Sequence, residues 1–256
     1  MARSGRSVLA VFAHPDDESL ACGGTLARLA DAGVEVIVLC ASRGERGSID
    51  GPAPDDELAG IRAREAREAA SALGIARLMI LDHPDGNLRW ADVTALQAEI
   101  AMAIRRFHPA AVITFGEDGL YWHPDHVGVH ERTTTAVRSL GAVGPPLYYV
   151  TMPRGAMRAI VDRATEGGWA PPPKGFWSLP PDSFGDEAKA PTLKVEVADW
   201  VPRKLAALRC HRTQMGSAHP FDRLDQADAR RWLGVEHFHR APDPTGEPVL
   251  ERLIQP

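Results

Sequence analysis

The sequence predicts an α/β fold: a doubly wound, mostly parallel sheet in a Rossmann-like three-layer arrangement, followed by an irregular C-terminal extension. Three observations predict it. Near-continuous apolar runs at Val8–Ala13, Val34–Cys40 and Ala111–Phe115 mark strands covered on both faces. Segments with apolar residues at helical spacing separate the runs, so strand, helix and strand follow one another as right-handed βαβ units. Beyond residue 151 the texture changes, with Pro171-Pro172-Pro173 inside a broken stretch over 167–191 that reads as a long crossing loop. The 256 residues are therefore read as one domain, with an α/β core over 8–151 and an extension over 152–256.

After the first strand, Ser19–Ala32 is predicted helical, with Leu20, Leu26, Ala27, Leu29 and Ala30 inward and Gly33 ending it. Gly23-Gly24 within that helix implies close packing on the sheet. Val34–Cys40 is the second strand, and the glycine- and proline-rich stretch 42–54 beyond it is a candidate substrate wall. A helix over Asp56–Leu73 stops at Gly74, Leu78–Leu81 is the third strand, and 83–88 is a turn-rich loop. Val93, Leu96, Ile100 and Ile104 place a helix over Asp92–Phe107. Ala111–Phe115 is the fourth strand, 116–126 its exit loop, Val127–Leu140 a helix and Leu147–Thr151 the fifth strand. In the extension, Leu193–Val197 alternates like a strand, Asp199 is expected to cap a helix running to Cys210, and Val235–His239 is expected as an edge strand.

A net charge of −5 gives no electrostatic reason to expect nucleic acid or an anionic membrane as partner. No apolar run approaches the roughly 20 residues a membrane helix needs, and the segment before the first strand is too short for a signal peptide, so a cytoplasmic location is expected. Cys22, Cys40 and Cys210 are scattered and odd in number, which favours small buried thiols over disulfides or a Cys-type zinc site. A homo-oligomer is compatible with this composition, which says nothing further about assembly.

Chemistry-bearing residues concentrate at two strand exits. His14-Pro15-Asp16-Asp17-Glu18 follows the first strand and His123-Pro124-Asp125-His126 the fourth. In a sheet of order 3-2-1-4-5 these strands are neighbours at the point where the winding reverses, so both clusters open into one crevice. Two histidines and a carboxylate with one position open to water are the usual ligand set of hydrolytic zinc, although iron(II) accepts the same set. Consecutive Asp16 and Asp17 tend to point apart, leaving one for the metal and one as a base. A nucleotide-binding module would need glycines after the first strand to face phosphates, where this chain has carboxylates.

Ala13-His14-Pro15-Asp16-Asp17-Glu18, Gly23-Gly24-Thr25-Leu26, Arg43-Gly44-Glu45-Arg46-Gly47, Arg62 to Glu65, Pro84-Asp85-Gly86-Asn87-Leu88 and His123-Pro124-Asp125-His126 together resemble the LmbE-like (PIG-L) family of metal-dependent N-deacetylases. Lys204 to Gln214 resembles that family's C-terminal Lys-to-His-x-x-Gln segment more loosely. The resemblance implies that His14, Asp17 and His126 bind zinc, that Asp16 is the general base, and that His123, best suited if charged, polarises the scissile carbonyl. It also implies hydroxyl-binding roles for Arg62, Glu45 and Asp85, with Tyr121 near the carbonyl. Trp122 stands where the family commonly has a small residue, so the mouth of the site is expected to be narrower or aromatic-walled. The expected substrate is a small N-acylated amino sugar or glucosaminyl conjugate. The alternatives are an amide of a low-molecular-weight thiol conjugate, an antibiotic N-acyl group and, more remotely, a non-catalytic binding module. His83, His108, His130, His211, His219, His237 and His239 lack comparable context and are expected to be structural.

Overall fold

The computed structural model describes residues 6–47, 55–168, 178–185, 191–215, 220–242 and 247–255. Seven strands form one sheet: β1 (Ser7–Phe12), β2 (Glu35–Cys40), β3 (Arg77–Ile80), β4 (Ala111–Phe115), β5 (Leu147–Thr151), β6 (Leu193–Glu196) and β7 (Val235–Arg240). Their order is β3-β2-β1-β4-β5-β7-β6. The first five are parallel, with Val8 of β1 opposite both Val36 of β2 and Ala111 of β4. Every residue of β1 and β4 is buried, which is why these segments carry no polar alternation. Helices α1 (Asp17–Asp31), α2 (Asp55–Leu73) and α7 (Val201–Cys210) pack as one layer through Ala27, Ala69, Leu73 and Ala207. Helices α3 (Val93–Phe107) and α5 (Pro124–Ser139) pack on each other as another.

The extension departs from expectation in topology. The strand expected at the edge, 235–239, is β7, which runs antiparallel between β5 and β6. The edge is β6, where only Val195 is fully buried and its neighbours alternate outward. The expected Asp199 cap is absent: Trp200 occupies the N-cap of α7 and makes no side-chain capping bond. Helices α6 (Ala156–Glu166), α9 (Gln226–Leu233) and α10 (Val249–Leu253), and the short turns α4 (Gly119–Trp122) and α8 (Arg212–Met215), complete the described elements. Much of the 167–191 stretch lies outside the described residues, but Phe184 is buried within it, beside Met157, Ile160 and Leu208.

Helix α1 is broken at Cys22 (φ −149°), and the break releases the next N–H groups from helical bonding. Gly24 N–H and Thr25 N–H instead donate to the Glu236 carboxylate of β7 at 2.9 and 2.7 Å. Lys204 of α7 closes the cluster with an ion pair to Glu236 at 2.6 Å, both side chains 3% exposed. Glycine is required at 24 because a Cβ there would lie 2.7 Å from Val197. The close packing expected of Gly23-Gly24 is thus against the start of α7's layer and β7.

Candidate metal centre

Two strand exits build the site. Beyond β1 the chain turns through His14 into α1. Beyond β4 it turns through Gly119, enters α4 and starts α5 with His123 as N-cap. Helix α5 therefore begins at Pro124, three residues earlier than its apolar spacing implies, and His126 sits in its first turn rather than in a loop. Only glycine can make this turn at 119 (φ 53°), because a Cβ there would lie 2.7 Å from that of His126. The rings of His14, His123 and His126 converge, with centroids 4.5 to 5.4 Å apart.

Hydrogen bonding fixes which nitrogens are free. His126 Nδ1 lies 3.0 Å from the Gly119 carbonyl, which can only accept, so Nδ1 carries the proton and a neutral ring leaves a lone pair on Nε2. That Nε2 is buried, has no hydrogen-bond partner among the described residues, and faces Asp17 Oδ1 at 3.1 Å. His14 behaves similarly. Its Nε2 is 2.9 Å from Asp85 Oδ1 and 3.1 Å from Asp125 Oδ2, and its Nδ1 faces Asp17 Oδ2 at 3.4 Å. The lone pair of a neutral His126 Nε2 therefore faces a carboxylate oxygen, an arrangement that repels unless a cation lies between them. Burial alone would lower the His14 pKa, but hydrogen bonds to Asp125, Asp17 and Asp85 outweigh it and hold it well above the ordinary value. For Asp17 burial pushes upward, while His126 and His14 outweigh it and hold the carboxyl well below the usual range.

The donor set fits a divalent metal. Ligands at about 2.0–2.2 Å around a tetrahedral zinc lie about 3.3 Å from one another, and the spacings here are 3.1 and 3.4 Å. His14, Asp17 and His126 offer ligand atoms within 4.8 Å of one another, all buried. A second group, His14, His123 and Asp125, meets the same distance. Asp125 is already engaged, accepting from Gly86 N–H at 2.6 Å, Leu88 N–H at 2.9 Å and His14.

Asp16 points elsewhere, as expected for adjacent acids. Its backbone is held at φ 125°, a region that costs a non-glycine residue about 1–3 kcal/mol. Its carboxylate is 28% exposed and contacts Arg62 Nη2 at 3.1 Å. Burial raises the Asp16 pKa and neighbouring Asp17 adds to this, against the opposing pull of Arg62. His123 accepts the Asp125 N–H on Nδ1 at 3.2 Å, which leaves the ring proton on Nε2. Burial lowers its pKa to about 4, which makes the ring a neutral donor rather than the charged one expected. Tyr121 packs edge-on to His126 at 5.1 Å and against Phe184 at 5.4 Å. Burial, with Asp17 and Asp16 nearby, pushes its phenol well above the usual range and keeps it protonated.

Two residues expected to bind hydroxyls are committed to the protein. Arg62 is 4% exposed and donates to the Gly44 carbonyl at 2.7 Å and the Pro15 carbonyl at 2.6 Å as well as touching Asp16. Asp85 grips His14 with one oxygen and accepts the Arg46 N–H with the other at 2.7 Å. Its pKa is lowered to about 2, burial opposing and the His14 contact prevailing. Glu45 remains half-buried at the wall, accepting the Asp85 N–H at 2.9 Å. Trp122 is 67% exposed at the mouth. Part of the 42–54 loop, residues 48–54, lies outside the described residues.

His211 is not isolated packing. It is fully buried, with Nε2 at 3.5 Å from Glu18 Oε1 and 3.4 Å from Ser19 Oγ. The resemblance of Lys204 to Gln214 to the family's Lys-to-His-x-x-Gln segment marks His211 in the sequence, but its partner Glu18 is not legible there because the two lie far apart in the chain.

Comparisons with known proteins extend this picture. A family model described as PIG-L, GlcNAc-PI de-N-acetylase, matches residues 9–137. A 1D-myo-inositol 2-acetamido-2-deoxy-alpha-D-glucopyranoside deacetylase from Acidothermus cellulolyticus is 32% identical, covering 91% of this chain and 88% of that relative. A second protein of that name, deacetylase 2 of Catenulispora acidiphila, is 34% identical, covering 94% of this chain and 91% of its own. The solved N,N'-diacetylchitobiose deacetylase of Pyrococcus horikoshii, complexed with its inhibitor, matches with a TM-score of 0.64 at 25% identity, covering 93% of this chain and 84% of that one.

Proposed function

This chain belongs to the PIG-L family of de-N-acetylases, and from that premise we propose that it hydrolyses the acetamide of 1D-myo-inositol 2-acetamido-2-deoxy-alpha-D-glucopyranoside or a close glucosaminyl conjugate, with zinc held by His14, Asp17 and His126. It is a hydrolase of the N-deacetylase class. One observation carries the metal reading: the buried, unpartnered Nε2 of His126 facing Asp17 at 3.1 Å.

A divalent metal in this ligand set supplies Lewis acidity, bringing the pKa of a water to about 7 and polarising a carbonyl oxygen. The protein residues do the rest. Asp16, whose pKa is raised, accepts the proton of the attacking water and later delivers it to the departing nitrogen, giving acetate and a free amine. His123 presents its Nε2–H to the carbonyl oxygen as that oxygen becomes negative, and losing such a donor typically costs on the order of 10²–10³ in rate. The Tyr121 hydroxyl, kept protonated by burial, is a second donor on the same side. Glu45 supplies a carboxylate for ring hydroxyls, and Trp122 a face for a sugar ring or an aglycone. A cytoplasmic location is part of this proposal, and no described helix is long and apolar enough to cross a membrane.

The exposure of Trp122 favours one competing substrate, the amide of a bulky thiol conjugate. Free-amine release by zinc-loaded protein separates the two. The highest kcat/KM is expected for the glucosaminyl inositol, ahead of N,N'-diacetylchitobiose and of a thiol-conjugate amide. Turnover of the thiol-conjugate amide alone would overturn the sugar reading.

A further inference from the structure

The base proposed above occupies a backbone conformation that L-residues avoid, at φ 125° and ψ −28°, and it is not a glycine. Something must hold it. On one side Arg62 binds the carboxylate and the Pro15 carbonyl. On the other, the Asp16 N–H donates to Glu18 Oε2 at 3.2 Å, so a carboxylate in the first turn of α1 receives the strained peptide. Glu18 is 2% exposed, and its second oxygen accepts from Ser19 Oγ at 2.7 Å and faces His211 Nε2 at 3.5 Å. His211 itself has no solvent contact and stands where α7 ends, on the layer that packs against α1 and α2.

We propose that His211 is a positioning residue: through Glu18 it holds the Asp16 peptide in its left-handed conformation, so that the C-terminal extension aims the base without touching substrate or metal. The inference rests on the reading of Asp16 as the base. The Ser19 hydroxyl, on the neighbouring residue of the same turn, can follow Glu18 if its carboxylate turns, and so does not by itself keep Glu18 on the Asp16 N–H. His211 gives it a fixed partner opposite that N–H. One oxygen is then directed to the extension and one to the site.

The test is a set of variants assayed for kcat, KM, zinc content and Tm. In His211→Leu the expected loss in kcat is on the order of 10²-fold, the scale of a misplaced catalytic group, with KM and zinc content unchanged. His211→Gln, whose amide nitrogen can stand where Nε2 stood, recovers most of that loss, whereas His211→Asn, whose amide reaches only the Nδ1 position, does not. Should a lone buried carboxylate in His211→Leu prevent folding, the double variant Glu18→Leu/His211→Leu removes both members and leaves no unpaired charge. It is expected to fold, bind zinc and show the same loss in kcat. The Asp16→Asn background separates the two levels of the argument. There, His211→Leu is expected to cause no further loss, because the base it positions is gone. Full activity in Asp16→Asn would overturn the base assignment. An inactive Asp16→Asn together with wild-type kcat in the double leucine variant, or with an additive effect of His211→Leu on residual turnover, would overturn the positioning role alone.

Discussion

The parallel half of the molecule, through β5, and the extension after it are built to different purposes. The parallel half brings its chemistry together by adjacency: a few consecutive residues leave β1, a few leave β4, and neighbouring strands make them one cluster. The extension contributes none of the proposed metal ligands. It sends single buried side chains inward instead: Glu236 and Lys204 to the broken turn of α1, Phe184 against Tyr121, and His211 to Glu18. Chemistry can be concentrated where one strand end supplies several groups. Support is distributed, because each brace needs only one residue at the right depth.

Breaking the parallel half should damage chemistry while leaving the fold. Asp16→Asn keeps a side chain of the same shape that cannot accept a proton, and the expected loss in kcat is about 10²–10⁴-fold with zinc content preserved by elemental analysis. A variant that loses its zinc and recovers activity at high zinc would assign Asp16 to the metal instead. Breaking the Lys204–Glu236 brace of the extension, which does not bond to Asp16, should do the reverse. Lys204→Met leaves the Glu236 carboxylate buried and unpaired, and removing one partner of such a pair costs about 3–5 kcal/mol. A lowered midpoint in urea with kcat and zinc content intact at 25 °C is expected. An unchanged midpoint with lost turnover in Lys204→Met would assign this brace to the chemistry instead of to the fold.

Asp85→Ala tests the revised role of a residue within the parallel half. Its carboxylate orients His14, and outer groups of this kind typically contribute about 10–100-fold in metal affinity. Zinc affinity should fall by about that factor while KM at saturating zinc stays near wild type. A rise in KM alone would restore the hydroxyl-binding role. The smallest expected effect is in His123, whose pKa of about 4 lies below the ordinary value. The unfolded chain, with a His pKa of about 6.5, binds more protons there than the folded one. This residue therefore costs stability as pH falls from about 6.5 toward 4, and contributes none of that cost above it. Nitrogen-15 shifts of labelled histidine should report a neutral ring with the proton on Nε2 throughout pH 6–8. A titration midpoint above 6 would restore a charged His123.

Legibility follows the same division. The order 3-2-1-4-5 could be read because buried parallel strands are apolar on both faces, and the two metal-bearing clusters because their residues are consecutive. The antiparallel pair was harder. β7 pairs on both sides yet shows half-buried residues at Val235, His237, His239 and Arg240, which reads as an edge. Helix α6 carries Met157, Ile160 and Ala164 at helical spacing, a short signal obscured by the turn-rich stretches on either side of it. Arg62 and Asp85 are recognisable as site residues, but the protein groups they also hold are not, because those contacts reach across 18 to 47 residues of chain. His211 lies in the segment that resembles the family's C-terminal pattern, but its partner Glu18 across the fold is not legible for the same reason.

The central claim is that one metal lies among His14, Asp17 and His126, and anomalous diffraction at the zinc edge from a zinc-loaded crystal tests it most directly. A single peak bounded by His14, Asp17 and His126, absent in His126→Ala, is the result predicted. A peak among His14, His123 and Asp125, surviving in His126→Ala, would contradict it.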